Sequence, residues 1–110
     1  MYRILVIDDE EEVREAVCRR LHREGYETEQ AGSQEEGIQK IRNASPPFDL
    51  ILTDMAMEDP ESGVKTLEAA LSRDIFSEVI VLTAYGNVGN AVECMRRGAF
   101  DYVEKHIPGV

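Results

Sequence analysis

The sequence predicts an α/β fold in which a parallel five-stranded sheet lies between layers of helices. Short apolar runs rich in β-branched residues alternate along the 110-residue chain with segments of helical periodicity. Three of these runs, ILVI, LILT and VIVLT, lack polar alternation, which is typical of strands covered on both faces. Because such strands and helices are joined by right-handed crossovers, the pattern indicates a doubly wound parallel sheet.

The individual elements follow from the same patterns. Strands are predicted at residues 3–7, 26–30, 49–53, 79–83 and 100–103. Helices between them are predicted by apolar stripes at Val13, Ala16, Val17, Leu21; at Gly37, Ile38, Ile41; at Val64, Leu67, Leu71; and at Val88, Ala91, Val92, Met95. Gly25 and Gly98 follow the first and fourth helices, and Ser33 with Glu36 predicts a capping box at the second.

The length and the element order indicate one domain, spanning residues 1–110, with the strand order 2-1-3-4-5. In such sheets, ligands bind beyond the carboxyl ends of the strands, at the switch point between the first and third strands. The residues at the strand ends are therefore the first candidates for a functional site.

Composition excludes several classes of function. The chain has 12 basic and 22 acidic side chains, a net charge of -10, which disfavours binding of nucleic acid or anionic membranes. It lacks an apolar run of membrane-spanning length and the features of a signal peptide, so we expect a cytoplasmic protein. Cys18 and Cys94 lack paired spacing and are interpreted as small helix residues in a reducing compartment.

The stretch RILVIDDEEEVREA places five consecutive carboxylates directly after an apolar strand. Clustered like charges oppose one another's ionisation unless a cation lies among them. Glu10, Glu11 and Glu12 are explained by the positive end of the following helix. Asp8 and Asp9 are not explained in that way, and they lie at the strand end where a ligand would bind.

The ends of the other strands carry Asp54, Thr83 and Lys105. Together with Asp8 and Asp9 these side chains would converge on one crevice, and an oxygen-rich, carboxylate-lined pocket favours Mg²⁺. Phosphoryl transfer needs a nucleophile and stabilisation of the developing charge. Asp54 can be the nucleophile, Asp8 and Asp9 would hold Mg²⁺, Lys105 would pair with the phosphoryl group, and Thr83 would donate a hydrogen bond to it.

This constellation resembles the receiver domain of two-component response regulators. The resemblance rests on VIDDEEEVRE, LILTDMAM, VIVLTAYG and AVECMRRGAFDYVEK, which together span the chain from the first strand to the fifth. The last segment is similar to receivers of the nitrogen-regulator type, which control transcription through attached modules. The resemblance implies the flavodoxin-like receiver fold.

The resemblance also implies roles for individual residues. Asp54 would accept the phosphoryl group from a sensor histidine kinase, and Asp8, Asp9, Asp54 and the backbone carbonyl of Ala56 would hold Mg²⁺. Thr83 and Tyr102 would form a switch pair that changes the face around the fourth helix and fifth strand. The partners implied are the kinase and a fused or separate output module, without binding of nucleic acid or membrane by this domain itself.

Three features depart from the family pattern. Glu58 stands where proline is usual, with Gly63 one place late, so the loop is longer and more acidic. His106 follows Lys105 where proline is common, with Pro108 two places later, and we expect His106 to be a surface residue. The chain stops at Val110, where the family continues into a fifth helix. We therefore expect a truncated domain whose exposed apolar flank leads to a homodimer or to weakened stability.

Two other functions remain open. A degenerate receiver could bind its partner without phosphorylation. A small phosphatase with an aspartate nucleophile, similar to haloacid dehalogenases, is disfavoured because those enzymes carry a second aspartate where this chain has Ala56. An FMN-binding protein is disfavoured because an acidic pocket would repel the cofactor's phosphate and no Gly-rich phosphate loop follows the first strand.

Overall fold

The computed structural model describes residues 2–55, 62–83 and 88–104. Strands and helices alternate in this part of the chain as predicted. They are β1 (Arg3–Ile7), α1 (Glu11–Arg23), β2 (Glu27–Ala31), α2 (Gln34–Asn43), β3 (Leu50–Asp54), α3 (Ser62–Arg73), β4 (Glu78–Thr83), α4 (Val88–Arg96) and β5 (Asp101–Glu104). Among the described residues, no helix combines the length and the hydrophobicity needed to cross a membrane.

The five strands form one parallel sheet in the order β2-β1-β3-β4-β5, which confirms the predicted topology. The bounds of β1 agree with the prediction, whereas β2 begins at Glu27 rather than at residue 26. Tyr26 is part of the cap that follows α1, because its amide donates a hydrogen bond to the carbonyl of Leu21. The adjacent Gly25 has a φ of 93°, the left-handed conformation that ends a helix.

Helices cover the sheet on both faces. On one face, Leu5, Ile7 and Ile51 of the sheet pack in a core cluster with residues of α2, α3 and α4. On the other face, a smaller cluster joins Ile4, Val6 and Leu52 to Cys18 of α1. All these strand residues are buried, so the sheet is a rigid support for the side chains at the carboxyl ends of its strands.

Two of the predicted apolar stripes are partly wrong. Ala16 of α1 is exposed and Cys18 is buried in its place. On α4, Val92 and Met95 are exposed, and Cys94 makes the buried contact with the core. Free cysteine behaves as a small hydrophobic residue and is among the most buried residue types, so both cysteines belong to the buried stripes from which they were left out.

The segment from β2 to α2 is fixed by polar contacts. Ser33 is the N-cap of α2, and its side chain accepts a hydrogen bond from the amide of Glu36, as predicted. The Glu36 carboxylate accepts from the amide of Gly32, one residue before the expected position. Further along α2, Lys40 Nζ donates a 2.6 Å hydrogen bond to the carbonyl of Gln30 on the edge strand β2.

Candidate functional site

The carboxyl ends of β1 and β3 bring two aspartates to adjacent positions. Asp54 is the last residue of β3, and Asp8 directly follows β1. Ile7 pairs with Thr53 in the parallel register, so the next residue along each strand is one of the two aspartates. This is the switch point at which ligands bind in doubly wound sheets.

Asp8 is fully buried and held by several contacts. Its amide donates a 3.1 Å hydrogen bond to the carbonyl of Ala31, and its Oδ1 accepts a 2.9 Å hydrogen bond from the amide of Glu10. The Asp8 carbonyl accepts from Arg14 Nη1 at 2.8 Å. Burying a carboxylate costs free energy unless contacts of this kind compensate for it. Packing at the end of β1 does not require an aspartate, whereas the binding of a cationic ligand does.

The carboxylates of Asp8, Asp9 and Glu10 form a compact oxygen cluster. One oxygen from each lies within 4.8 Å of the others, with Asp8 buried and the other two exposed. Glu10 is the N-cap residue of α1 and makes no side-chain capping hydrogen bond, so the prediction that it favours the positive end of the helix rests on its charge alone. An all-oxygen, anionic set of this kind fits a hard divalent cation such as Mg²⁺.

Asp54 and Thr83 lie at the ends of the two central strands. Asp54 is 7% exposed, Thr83 is fully buried, and the β3–β4 register pairs Asp54 with Leu82, the residue before Thr83. The amide of Met55 donates a 2.7 Å hydrogen bond to the Leu82 carbonyl, so the two strands stay paired beyond Asp54. Asp8, Asp54 and Thr83 therefore place three buried polar side chains at three neighbouring strand ends.

Tyr102 lies on β5 next to this edge. Val81 pairs with Tyr102 and Thr83 pairs with Glu104, so the side chains of Thr83 and Tyr102 project from the same face of the sheet. The Tyr102 ring is half-buried and packs against the larger core cluster.

Lys105 follows Glu104 in the sequence but lies outside the described residues. The same is true of the other predicted residues in these two loops, namely Ala56, Glu58, His106 and Pro108.

Gly63 permits a close approach between α3 and the residue after Asp54. Its amide donates a 2.9 Å hydrogen bond to the Met55 carbonyl, and a Cβ on Gly63 would lie 3.1 Å from that oxygen. Met55 is buried, and its sulfur lies 3.8 Å from the thiol sulfur of Cys94. Gly63, which stands one place late relative to the family pattern, therefore anchors the amino-terminal end of α3 beside the site.

Comparison with known proteins agrees with this geometry. The sequence model described as "Response regulator receiver domain" matches residues 4–109. The chain belongs to the response regulator receiver domain family. It is 37% identical over 103 residues to the regulatory protein AtoC of Escherichia coli (strain K12), a match that covers 94% of this chain and 22% of AtoC. The chain thus spans about a fifth of the length of AtoC.

Solved receiver structures share the fold. A response regulator receiver domain protein from Clostridium thermocellum superimposes with a TM-score of 0.88 at 33% identity, covering 97% of this chain and 84% of that one. NtrX from Brucella abortus superimposes with a TM-score of 0.85 at 30% identity, covering 97% of this receiver and 24% of NtrX. The predicted likeness to receivers of the nitrogen-regulator type is thereby confirmed.

Proposed function

We propose that this receiver is a phosphorylation-activated switch of a two-component system, in which Asp54 accepts a phosphoryl group from a sensor histidine kinase. The observation that carries the proposal is the set of buried polar side chains at neighbouring strand ends, Asp8, Asp54 and Thr83. Strand packing alone does not require these residue types there, whereas phosphoryl transfer does.

The residues that would hold Mg²⁺ are Asp8, Asp9 and Asp54, with the backbone carbonyl of Ala56. The donor set fits, because the described ligands are carboxylates gathered at one edge of the sheet. When bound, Mg²⁺ would offset the negative charge shared by these carboxylates and the phosphoryl group. Glu10 lies within the same oxygen cluster and could contribute through water.

The chemistry of the protein itself is a single displacement. An Asp54 carboxylate oxygen attacks phosphorus, the bond between phosphorus and the kinase histidine nitrogen breaks, and its electron pair returns to that nitrogen. The Thr83 hydroxyl would donate a hydrogen bond to a phosphoryl oxygen, and Lys105 would pair with the phosphoryl charge. The domain would catalyse only its own phosphorylation and dephosphorylation.

The signal would leave through α4 and β5. Attraction of Thr83 to the phosphoryl oxygens would open space for the Tyr102 ring, which now lies half-buried on the same face. The nearby surface carries exposed apolar side chains, Val92, Met95, Phe100 and Val103, which a partner could cover when the switch changes. We propose transcription as the regulated process and an output module, fused or separate, as the recipient.

A phosphorylation assay tests the proposal. The chain is incubated with a small phosphodonor or with beryllofluoride, with and without Mg²⁺, and NMR shifts and an acid-stable, base-labile adduct are measured. We expect a Mg²⁺-dependent response that disappears in Asp54→Asn and persists in Glu27→Gln, a control that removes an exposed carboxylate at the start of β2. An undiminished response in Asp54→Asn contradicts the assignment, and no response in the unmodified chain favours a phosphorylation-independent binding module.

A further inference from the structure

Arg14 of α1 holds the main chain of Asp8. The carbonyl of Asp8 lies beyond the last residue of β1, and Arg14 Nη1 donates a 2.8 Å hydrogen bond to it. Ala31 and Glu10 hold the amide and the carboxylate of the same aspartate. Asp8 is thus anchored through its amide, its side chain and its carbonyl, and the third anchor comes from a residue to which the sequence analysis gave no role.

The helix geometry explains how Arg14 reaches this position. Its amide donates to the carbonyl of Glu10, so Arg14 lies in the first turn of α1. Helical side chains lean toward the amino-terminal end of their helix, which brings this guanidinium back over the connection between β1 and α1. Gly32 leaves room for it, since a Cβ there would lie 3.3 Å from Arg14 Nη1.

Gln30 fixes the guanidinium from the other side. Arg14 Nε donates a 2.9 Å hydrogen bond to Gln30 Oε1. Two nitrogens of the planar guanidinium therefore donate hydrogen bonds, Nε to Gln30 and Nη1 to the Asp8 carbonyl. Gln30 is itself held by Lys40, whose ammonium binds the Gln30 carbonyl and lies 3.9 Å from the Glu36 carboxylate. A continuous polar chain therefore connects the buried aspartate to the edge strand and to α2.

We propose that Arg14 is a positioning residue that aims the carboxylate of Asp8 at the divalent cation, and that Gln30 holds Arg14 in place. This inference rests on the proposed function, because it takes Asp8 to be a metal ligand. Residues that hydrogen-bond to a metal-ligating residue, without contacting the metal themselves, commonly set the orientation of that ligand and thereby the metal affinity. Here the control acts through the main chain, since a rotation of the Asp8 carbonyl would swing its side chain.

Positioning and simple electrostatics predict opposite outcomes when Arg14 is replaced. The guanidinium is a positive charge near an acidic cluster, so its removal should by Coulomb attraction alone strengthen Mg²⁺ binding. If Arg14 orients Asp8, its removal should weaken Mg²⁺ binding in spite of the more negative site. The sign of the change in dissociation constant therefore separates the two roles.

The test is a MgCl₂ titration of the 110-residue chain followed by amide NMR shifts. Arg14→Met should weaken Mg²⁺ binding about tenfold, at the lower end of the range for outer partners of metal ligands. Arg19→Met is the matched control, because it removes the same charge from an exposed position on the same helix. The control should bind Mg²⁺ as tightly as the unmodified chain or slightly more tightly.

Gln30→Met provides a second test without any change in net charge. It removes the acceptor for Arg14 Nε and should weaken Mg²⁺ binding by a smaller factor than Arg14→Met. The double variant should bind no more weakly than Arg14→Met alone, because both substitutions break the same linkage. If Arg14→Met does not fold, Gln30→Met alone still decides whether the polar chain affects the Mg²⁺ affinity of the site.

The possible results separate this inference from the proposed function. Equal or tighter Mg²⁺ binding in Arg14→Met and Gln30→Met, while the unmodified chain binds Mg²⁺ and is phosphorylated on Asp54, overturns the positioning role alone. Additive losses in the double variant overturn the role of Gln30. Failure of the unmodified chain to bind Mg²⁺ overturns the proposed function and the positioning role together.

Discussion

The amide of Met55 donates a 2.7 Å hydrogen bond to the carbonyl of Leu82. Met55 is the residue after Asp54, and Leu82 is the residue before Thr83 on β4. Strand pairing therefore continues past the phosphoacceptor that we propose, instead of ending in front of it. Asp54 and Thr83 both lie on paired main chain, so in the switch that we propose the Thr83 hydroxyl would move toward the phosphoryl group without a movement of the strands themselves.

Thr83→Val should separate phosphorylation from signalling. Valine keeps the shape of this buried side chain but removes the hydroxyl, so we expect beryllofluoride to bind at Asp54 while the NMR shifts at Tyr102 and on α4 decrease. Thr66→Val is the control, because Thr66 is equally buried on α3 and its hydroxyl has no hydrogen-bond partner in the described part of the chain. Full-sized shifts in Thr83→Val would contradict the proposed switch.

Mg²⁺ should stabilise the folded chain through Asp8. At a Mg²⁺ concentration about 100 times the dissociation constant, binding to the folded state alone adds about 2.7 kcal/mol to the free energy of unfolding, and should raise the Tm by roughly 10 °C. Chelation by EDTA should reverse the increase. In Asp8→Asn the increase should be largely lost, whereas Glu27→Gln should retain it. A thermal melt with equal Mg²⁺-induced increases in all variants would exclude Asp8 as a ligand.

Gly37→Ala should destabilise the core between α2 and β1. A Cβ on Gly37 would lie 2.5 Å from Ile7 Cδ1, and Ile7 is fully buried. Overpacking of this kind costs about 1–3 kcal/mol, which exceeds the gain of about 1 kcal/mol in helix propensity. Urea unfolding measures the loss of stability. In an Ile7→Val background, which lacks Cδ1 but keeps carbons 3.0 and 3.2 Å from the added Cβ, the same substitution should cost less stability, and an equal loss there would refute this explanation.

The two buried thiols should make the fold sensitive to alkaline pH. Burial raises the pKa of Cys18 and Cys94 above the ordinary thiol value of 9.0. The folded chain thus retains thiol protons that the unfolded chain has lost. Their contribution to the free energy of unfolding is complete below about pH 9 and falls as the pH rises through the folded-state pKa values. Urea unfolding at several pH values should show this decline, and a Cys18→Ala, Cys94→Ala double variant should show a weaker one.

Most of the fold was predictable because it depends on local patterns. Uninterrupted apolar runs identified the three central strands, the crossover rule predicted a parallel sheet, and the chain length favoured the order 2-1-3-4-5. Cys18 and Cys94 lie in helices as predicted, but they were left out of the apolar stripes, although free cysteine packs as a core residue. The amino-terminal bound of β2 was wrong by one residue because Tyr26 closes the turn at the end of α1.

The site was predictable only where its residues lie at strand ends. The placement of Asp8, Asp54 and Thr83 was predictable because parallel strands present their carboxyl ends at one edge, and their roles stay a proposal. Arg14 was not found, because a hydrogen bond from a helix to a main-chain carbonyl leaves no periodic pattern. One signal was available: an arginine in the first turn of a helix reaches back to the residues that precede it. The placement of Lys105 and Ala56 stays a prediction, since both lie outside the described residues.

The hydrogen bond from Lys40 to the Gln30 carbonyl also affects how the sheet meets other molecules. β2 is an edge strand, and its odd-numbered residues, such as Glu27 and Ala31, bond to the β1 side, so the Gln30 carbonyl faces outward. An open strand edge is a template for pairing with another chain, and a lysine is a common means of blocking it. Because Lys40 occupies that outward carbonyl, an incoming strand would have to displace an ammonium group before it could pair. Contacts of this kind are one of the ways in which proteins guard an edge strand against pairing with other chains.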